Sequence, residues 1–407
     1  MSIKAVIFDY STLLLDKNRV EIIDKLRALI QSLRNLGIKI VVFSTHPKNI
    51  NTALSFYNLP PVDLFLCRKD IGISKGSHRW IDIAGSRLRF RNNDFLYIGD
   101  DKLDWRTAIN AATLFLHAEW AKPLSSQVTP YSFQDPADIW QFISHFLLTP
   151  PRWEYKLDLS DHNVCIRSLL EATVELPATK PISFRLQDIF TYHNTVSINN
   201  YSARDILMLH AITSLYLEGL IYPNSLFVIY PSSTPGKIND VIEEFLHPVS
   251  KIFHGYYKND LLCRTVQAPD TSIERWQAKQ ENRQPNVSFI NQSNTVHINP
   301  YYRGKITGKS VIVIDDFTTT GMSLEWAKNL LLAAGADNIV LLTIGKYPRD
   351  HTIYSPINIP IDPFKLTTYS LHDFQKISQP LEREPSAQQV IYKSFSYWKD
   401  GKPLPIS

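Results

Sequence analysis

Two aspartates and a run of threonines, residues 315–321, form the most informative polar cluster in this 407-residue sequence. Four consecutive β-branched residues at 311–314 precede them and predict a strand buried on both faces of a parallel sheet. The apolar spacing after Gly321 predicts a helix that begins at Met322. A polar turn between a strand and a helix presents N–H groups and hydroxyls to an anion, and nearby carboxylates suit sugar hydroxyls or a hydrated Mg²⁺. The pattern therefore predicts a site for a sugar phosphate.

Residues 311–321 read as four hydrophobic residues, two acids, a hydrophobic residue and a threonine-rich turn that ends in glycine. This order resembles the phosphoribosyl diphosphate (PRPP) loop of type I phosphoribosyltransferases at every position. The resemblance implies that Asp315 and Asp316 hold the ribose hydroxyls and serve catalysis. It implies that the 5′-phosphate is surrounded by Thr318, Thr319, Thr320 and Gly321.

A second polar turn follows a predicted strand at residues 226–230 and precedes a predicted helix at 241–245. In phosphoribosyltransferases the equivalent turn binds diphosphate. The resemblance implies diphosphate contacts from Ser233, Thr234, Gly236 and Lys237. A small polar loop without a ligand explains the same residues equally well.

Polar residues also follow buried runs in the first 120 residues. Residues 3–8 end at Asp9, residues 38–43 end at Ser44, and a later strand at 95–98 leads into Gly99, Asp100 and Asp101. Lys75 lies at the start of a predicted helix, and Asp104 follows the last strand. Because the carboxyl ends of parallel strands meet at one edge of a sheet, we expect these side chains to lie together.

Their order and spacing resemble the haloacid dehalogenase (HAD) phosphatase superfamily. The resemblance implies that Asp9 is a carboxylate nucleophile, that Ser44 donates a hydrogen bond to phosphate, and that Lys75 neutralises the phosphoryl group. It also implies a Mg²⁺ site formed by Asp9, the backbone carbonyl of Ser11, and Asp100 with Asp101 or Asp104. Covalent catalysis by a carboxylate needs such cations, because negative charge gathers around phosphorus.

Ser11 is a departure from that superfamily, whose phosphatases usually place a second aspartate two residues after the nucleophile as general acid and base. A serine hydroxyl with an ordinary pKa cannot exchange a proton near neutrality as a carboxylate can. Four roles stay open for this domain: active phosphatase, slow hydrolase, phosphate sensor and structural module.

The elements that must position these residues alternate between buried runs and amphipathic segments, which predicts an α/β protein with two doubly wound parallel sheets of Rossmann-like type. We predict a HAD-like domain over residues 1–120, a linker with a docking helix over 121–158, and a phosphoribosyltransferase-like domain over 159–407. Residues 159–222 have mainly helical spacing. Residues 267–289 predict a long polar excursion after a strand. Arg264, Arg275, Lys279 and Arg283 are candidates for a mobile hood over diphosphate, and a solvated loop explains the same residues. Residues 346–407, a C-terminal extension, are expected to form the hood over the accepting base that the resemblance implies, or a surface for a protein partner.

The composition is that of an ordinary soluble protein, with 44% hydrophobic and 20% charged residues and a net charge of +4. So mild a charge gives no indication of nucleic-acid binding. No apolar run reaches the length of a membrane span, and the N-terminus lacks a signal-peptide pattern. The three cysteines lie far apart, which favours a reducing compartment and predicts a cytoplasmic protein.

Together the two resemblances imply a PRPP-dependent enzyme that transfers ribose 5-phosphate to a small-molecule nitrogen base with Mg²⁺. Its HAD-like half would remove or recognise the 5′-phosphate of the product. The alternative is a non-catalytic sensor of PRPP or a nucleotide, acting as a regulator or defence effector that signals to a protein partner. An oligomer is compatible with either.

Overall fold

The computed structural model describes residues 2–13, 19–47, 50–123, 131–148, 152–159, 163–177, 183–191, 197–198, 201–269, 271–284 and 286–399. In chain order the strands are β1 (Ala5–Asp9), β2 (Lys39–Ser44), β3 (Leu64–Cys67), β4 (Phe95–Gly99), β5 (Leu114–Ala118), β6 (Tyr131–Phe133), β7 (Tyr155–Leu159), β8 (Val164–Glu171), β9 (Glu175–Pro177), β10 (Ser183–Arg185), β11 (Ser197–Ile198), β12 (Tyr201–Ser202), β13 (Leu226–Ile229), β14 (Tyr256–Tyr257), β15 (Leu262–Arg264), β16 (Val296–Ile298), β17 (Ser310–Thr318), β18 (Asn338–Lys346), β19 (His351–Pro356), β20 (Phe374–Gln379) and β21 (Glu382–Arg383).

The helices are α1 (Tyr10–Leu13), α2 (Val20–Asn35), α3 (Ile50–Phe56), α4 (Arg68–Ile71), α5 (Arg79–Leu88), α6 (Lys102–Asn110), α7 (Pro136–Phe142), α8 (Leu186–Thr191), α9 (Ala203–Glu218), α10 (Asp240–Ile252), α11 (Thr271–Gln280), α12 (Phe289–Ser293), α13 (Met322–Ala333) and α14 (Ala387–Lys399). A π-helical turn, Ile143–Leu147, continues α7. None of the helices in these described ranges is long and apolar enough to cross a membrane.

The first sheet has the order β3-β2-β1-β4-β5-β6, and every neighbouring pair is parallel. All five residues of β1 are buried, which fits a central strand covered on both faces. Helix α2 buries one stripe, which includes Leu26, Leu29 and Leu33, as its helical apolar spacing predicts. The predicted parallel α/β sheet of this half is confirmed.

One strand of the first sheet and one helix lie within the segment that the sequence predicts as a linker. Strand β6 pairs with β5, and its Tyr131 and Phe133 are buried. Helix α7 begins at Pro136, is capped by Asp135, and buries Ile139 and Phe142. The described residues of this segment therefore contribute to the hydrophobic core, and α7 is a helix in the segment where the sequence predicts one.

The second sheet has the order β14-β13-β17-β18-β8-β7-β21. The strands from β14 to β8 are parallel to one another. At one edge β7 pairs antiparallel with β8, and β21 pairs antiparallel with β7. This sheet is thus mixed and not wholly parallel as predicted. A short connection joins β7 to β8, and two strands joined so closely pair in opposite directions.

Strand β8 corrects the helical expectation for residues 159–222. Seven of its eight residues are buried, and it pairs with β18 inside the second sheet. A short apolar run fits a buried strand and a buried helix equally well, so periodicity alone could not separate them. The predicted helix at 206–218 is confirmed as the main part of α9.

Helix α9 lies between the two sheets and is buried on all sides from Ile206 to Leu217. The Tyr216 hydroxyl donates to the Phe95 carbonyl of the first sheet, and the Asn93 amide donates to the Leu217 carbonyl at 3.0 Å. A helix that is apolar all round needs cover on every face. Consequently one continuous hydrophobic core contains residues from both halves of the chain.

Candidate functional site

The first candidate site lies at the carboxyl edge of the first sheet. Strand β1 lies between β2 and β4, with Asp9 paired to Phe43 and Phe8 paired to Ile98. This register brings Asp9, at the end of β1, beside the ends of its two neighbouring strands. The edge is where open α/β sheets bind ligands.

Three buried carboxylates converge there. Oxygens of Asp9, Asp100 and Asp104 all lie within 4.8 Å of one another. The Lys75 ammonium donates to Asp104 Oδ1 at 2.8 Å and to Asp9 Oδ1. Three carboxylates and one ammonium leave a formal charge of −2, and uncompensated buried charge is costly. A divalent cation balances that charge, and an all-oxygen donor set suits Mg²⁺.

Asp104 is oriented by its neighbours as well as by Lys75. The Tyr97 hydroxyl donates to its Oδ1 at 2.7 Å, and the Asp100 amide donates to its Oδ2 at 3.2 Å. Burial raises the pKa of the Asp104 carboxyl, while the nearby Lys75 charge lowers it. A Cβ on Gly99 would lie 2.5 Å from Asp104 Cβ, so only glycine allows this approach.

Asp101 has a different role in the structure. Its Oδ1 accepts the amides of Leu103 at 2.8 Å and Asp104 at 2.9 Å, which makes it the N-cap of α6. It lies outside the carboxylate cluster. Of the two alternatives left open by the sequence, the structure places Asp104 with Asp9 and Asp100.

Ser11 faces the same cluster with its side chain. Its hydroxyl lies within hydrogen-bond distance of Asp9 Oδ2 and, at 2.7 Å, of Asp100 Oδ1, and its amide donates to Asp9 Oδ2 at 3.0 Å. One hydroxyl proton can serve only one of two ionised carboxylates at a time. A cation between the carboxylates would neutralise the one that receives no hydroxyl proton.

The remaining predicted residues of this site are also buried at the sheet edge. Lys75 lies in a turn that precedes α5 and not at the helix start as predicted, because α5 begins only at Arg79. The Ser44 hydroxyl donates to the His46 carbonyl at 2.8 Å and accepts the His46 amide at 3.3 Å. Its role as a phosphate donor stays a prediction.

The second candidate site lies at the carboxyl edge of the second sheet. Strand β17 continues through Thr318, so Asp315 and Asp316 lie inside the strand and not after it as predicted. The strand extends because β18 pairs with it as far as Lys346, and Gly345 leaves room for the Phe317 ring.

The two aspartates of this site interact closely. Asp315 Oδ2 accepts the Ser323 hydroxyl of α13 at 2.8 Å, and Asp315 Oδ1 accepts the Asp316 amide at 3.0 Å. Burial and the neighbouring Asp316 charge raise the pKa of Asp315 to about 8. A cation or a hydrogen-bond donor in front of this pair would stabilise its ionised form.

The carbonyls of the threonine turn are hydrogen-bonded by residues 346–352, which form the end of β18, the start of β19 and the connection between them. The Thr318 carbonyl accepts the Tyr347 amide at 2.9 Å, and the Thr320 carbonyl accepts the Thr352 amide at 2.9 Å. Between them, the Thr319 carbonyl accepts the Lys346 ammonium at 2.5 Å. Because a trans peptide points its C=O and N–H in opposite directions, the following N–H groups face away from this connection.

Lys346 was missed by the sequence analysis. It is fully buried at the end of β18 and also donates to the Arg349 carbonyl at 2.6 Å. Burial lowers its pKa to about 8. The only sequence signal was a lysine that ends a buried run, and nothing in that pattern indicates three carbonyl partners.

Gly321 lies at the N-terminus of α13 with φ of +87° and in contact with the buried His351 ring. His351 Nε2 is 2.7 Å from Glu325 Oε1, and Glu325 Oε2 accepts the Lys328 ammonium at 2.5 Å. This network holds the first turn of α13 against β19.

We expect Gly321→Ala to destabilise the protein by about 1–3 kcal/mol, because overpacking and positive φ both oppose a side chain there. A Cβ would lie 2.1 Å from His351 Cε1. Urea denaturation of the variant and of Gly304→Ala measures this. Gly304 also has a positive φ, +72°, but open space around it, so the difference isolates the clash. Equal midpoints would contradict the contact.

The second predicted turn, residues 231–237, lies beside the threonine turn because β13 pairs with β17, Ile229 with Ile314. Its predicted diphosphate contacts are mostly exposed: Ser233 is half-buried, whereas Thr234, Gly236 and Lys237 are exposed. Arg264 holds the base of the turn through a 2.6 Å bond from Nε to the Ser232 carbonyl.

The polar excursion at 267–289 contains the regular helix α11. Arg283, a predicted hood cation, pairs with Glu274 and Glu281 at 2.5 Å each. Arg264 is buried beneath the turn. Lys279 is exposed. The Arg275 side chain lies outside the described residues. Two of the four cations therefore have structural partners already.

Comparison with known proteins assigns a family to the N-terminal segment of the chain. The family of haloacid dehalogenase-like hydrolases matches residues 2–118. Residues 2–118 form a HAD-like hydrolase domain. No curated protein matches the chain.

Solved structures similar to the chain include HAD-superfamily hydrolases from two organisms. The Geobacter sulfurreducens PCA protein, of subfamily IA, variant 1, is 12% identical, with a TM-score of 0.28, covering 35% of this chain and 96% of that one. The Ehrlichia chaffeensis protein is 17% identical, with a TM-score of 0.27, covering 35% of this chain and 97% of that one.

Proposed function

We propose that the HAD-like domain is a Mg²⁺-dependent phosphohydrolase in which Asp9 is the nucleophile. The observation that carries this proposal is the convergence of the Asp9, Asp100 and Asp104 carboxylates within 4.8 Å, with the Lys75 ammonium bonded to two of them. Mg²⁺ held by these residues would supply Lewis-acid stabilisation of the phosphoryl oxygens.

Asp9, Lys75 and Ser11 have different roles in the proposed reaction. A carboxylate oxygen of Asp9 forms a bond to phosphorus as the bond from phosphorus to the leaving oxygen breaks, which gives an acyl phosphate. Lys75 holds Asp9 in place and offsets its charge. Water then cleaves the acyl phosphate and releases phosphate. Ser11 cannot act as a carboxylic acid, so the leaving oxygen takes its proton from water, which favours leaving groups of low pKa.

Asp104→Asn and Asp101→Asn form a matched pair that tests the site. We expect Asp104→Asn to lower Mg²⁺ affinity and Mg²⁺-dependent hydrolysis of p-nitrophenyl phosphate at least tenfold, because a ligand charge is lost. Asp101→Asn should leave both within twofold, since asparagine also caps helices. Titration calorimetry with Mg²⁺ and phosphate release measure the two effects. Equal effects from both variants would refute the assignment of Asp104.

Ser11→Asp is expected to raise hydrolysis at saturating Mg²⁺. A positioned carboxyl group acting as general acid and base contributes a factor of about 10²–10⁴. The gain should be largest for alkyl phosphates, whose leaving groups need a proton most. Ser11→Asn is the control, because it has a similar volume and no titrating group. If the asparagine variant gained as much, proton transfer would not be the cause.

A second candidate function concerns the other half. We propose that residues 315–321 bind PRPP or a related ribose 5-phosphate, with Asp315 and Asp316 toward the ribose. The supporting observation is that three successive carbonyls, of Thr318, Thr319 and Thr320, are bonded from behind. The amides that follow are thereby directed to the opposite side, as an anion-binding turn requires.

Transfer of the ribosyl phosphate to a small-molecule base is the enzymatic form of this proposal, and PRPP sensing is the alternative. Transfer requires that the C1–O bond to diphosphate breaks as a nitrogen–C1 bond forms. Residues after β18 form the β19–β20 hairpin and α14, which would supply the base-binding hood or a partner surface. Diphosphate release from labelled PRPP across a panel of bases separates transfer from sensing.

A further inference from the structure

A groove of about 370 Å³ lies beside the first site, at the carboxyl ends of β2 and β3. Its lining residues are Thr45, His46, Pro47, Arg68, Lys69 and Gly72. Ser44 and Cys67 are direct partners in the β2–β3 register, and neighbouring strands lie about 4.8 Å apart. The two walls of the groove therefore begin one residue beyond Ser44 and one residue beyond Cys67.

The groove has an uncompensated positive charge. Arg68 and Lys69 are exposed, and neither forms an ion pair with any acid in the described part of the chain. Arg34 and Lys39, two surface cations near the opposite ends of these strands, both pair with Asp63. The acid nearest in sequence, Asp70, directs its carboxylate to the Cys67 amide at 2.8 Å.

We propose that this groove binds a second phosphate group of the substrate whose first phosphoryl group is cleaved at Asp9. The proposal rests on the phosphohydrolase function and deepens it by naming the substrate class, a bisphosphate or diphosphate compound. Arg68 supplies a planar fork that matches phosphate oxygens, and Lys69 supplies a point charge. His46 and Thr45 complete the lining on the β2 side. The domain therefore prefers substrates with two phosphate groups to substrates with one.

The test compares glucose 1,6-bisphosphate with glucose 6-phosphate as substrates of the full-length protein with Mg²⁺. The variant Arg68→Gln/Lys69→Gln should lower kcat/KM for the bisphosphate about tenfold or more, and for the monophosphate by less than twofold. Lys305→Gln/Lys309→Gln, which removes the same charge from exposed residues of the other half, should change neither. Equal losses for both substrates, or no preference in the unaltered protein, would overturn the proposal.

Absence of hydrolysis of either substrate would instead refute the phosphohydrolase function, and binding then decides the groove. Calorimetry on Asp9→Asn protein compares glucose 1,6-bisphosphate affinity with and without the Arg68 and Lys69 changes. A loss of about tenfold supports the groove as an anion subsite. Equal affinities refute it.

Discussion

Asp9→Asn is expected to abolish Mg²⁺-dependent hydrolysis of phosphate esters, with a fall of about 10³-fold or more. An amide cannot form the acyl phosphate, so the chemical step itself is lost. The variant should stay folded, because the amide oxygen can still accept from Lys75, which also keeps its bond to Asp104 at 2.8 Å. Phosphate release, with thermal unfolding as the check on folding, measures the result.

Asp24→Asn is the control for Asp9→Asn. Asp24 is exposed on α2, pairs only at the surface with Arg27, and loses the same charge on substitution. Its rate should equal that of the unaltered protein. An unchanged rate in Asp9→Asn would mean that this domain recognises phosphate or supports the fold, and that any hydrolysis came from elsewhere.

PRPP with Mg²⁺ is expected to stabilise the protein against heat through the loop at 315–321. A ligand at a hundred times its dissociation constant adds about 2.7 kcal/mol to the free energy of unfolding. Asp315→Asn/Asp316→Asn should abolish the shift, because the carboxylates that face the ribose are lost. The substitution should not unfold the chain, since burial and mutual repulsion already raise the pKa of Asp315 to about 8.

Two comparisons assign the thermal shift to the second site. Mg²⁺ alone gives the baseline, and Asp9→Asn removes turnover at the first site as a source of the shift. The PRPP shift should persist in Asp9→Asn and vanish in the double variant. A full shift in Asp315→Asn/Asp316→Asn would refute PRPP binding at this loop.

The sequence alone determined which residues could meet at the sheet edges. Buried β-branched and aromatic runs that end in polar residues specify both strand and edge, so the sequence by itself indicates that Asp9, Ser44 and Asp100 lie at one edge. The same pattern, a buried run followed by polar residues, predicts the threonine turn before α13. Such local signals suffice because parallel strands in one sheet present their carboxyl ends together.

Tertiary packing decided between alternatives that are equal in sequence. Asp101 and Asp104 are both acids after β4, but the missing side chain of Gly99 admits Asp104 to the cluster, and the start of α6 engages Asp101. Strand β8 and helix α9 are both apolar runs, and their partners determined which conformation each adopts.

Contacts between residues distant in sequence were the part that no local pattern could predict. Lys346 reaches the Thr319 carbonyl across 27 positions, and Tyr216 reaches Phe95 across 121. Each bond exists because a buried polar group must find its partners within the protein, and burial is a property of the packed chain. The sequence thus determined the chemistry available at each edge, whereas the fold decided which groups orient it.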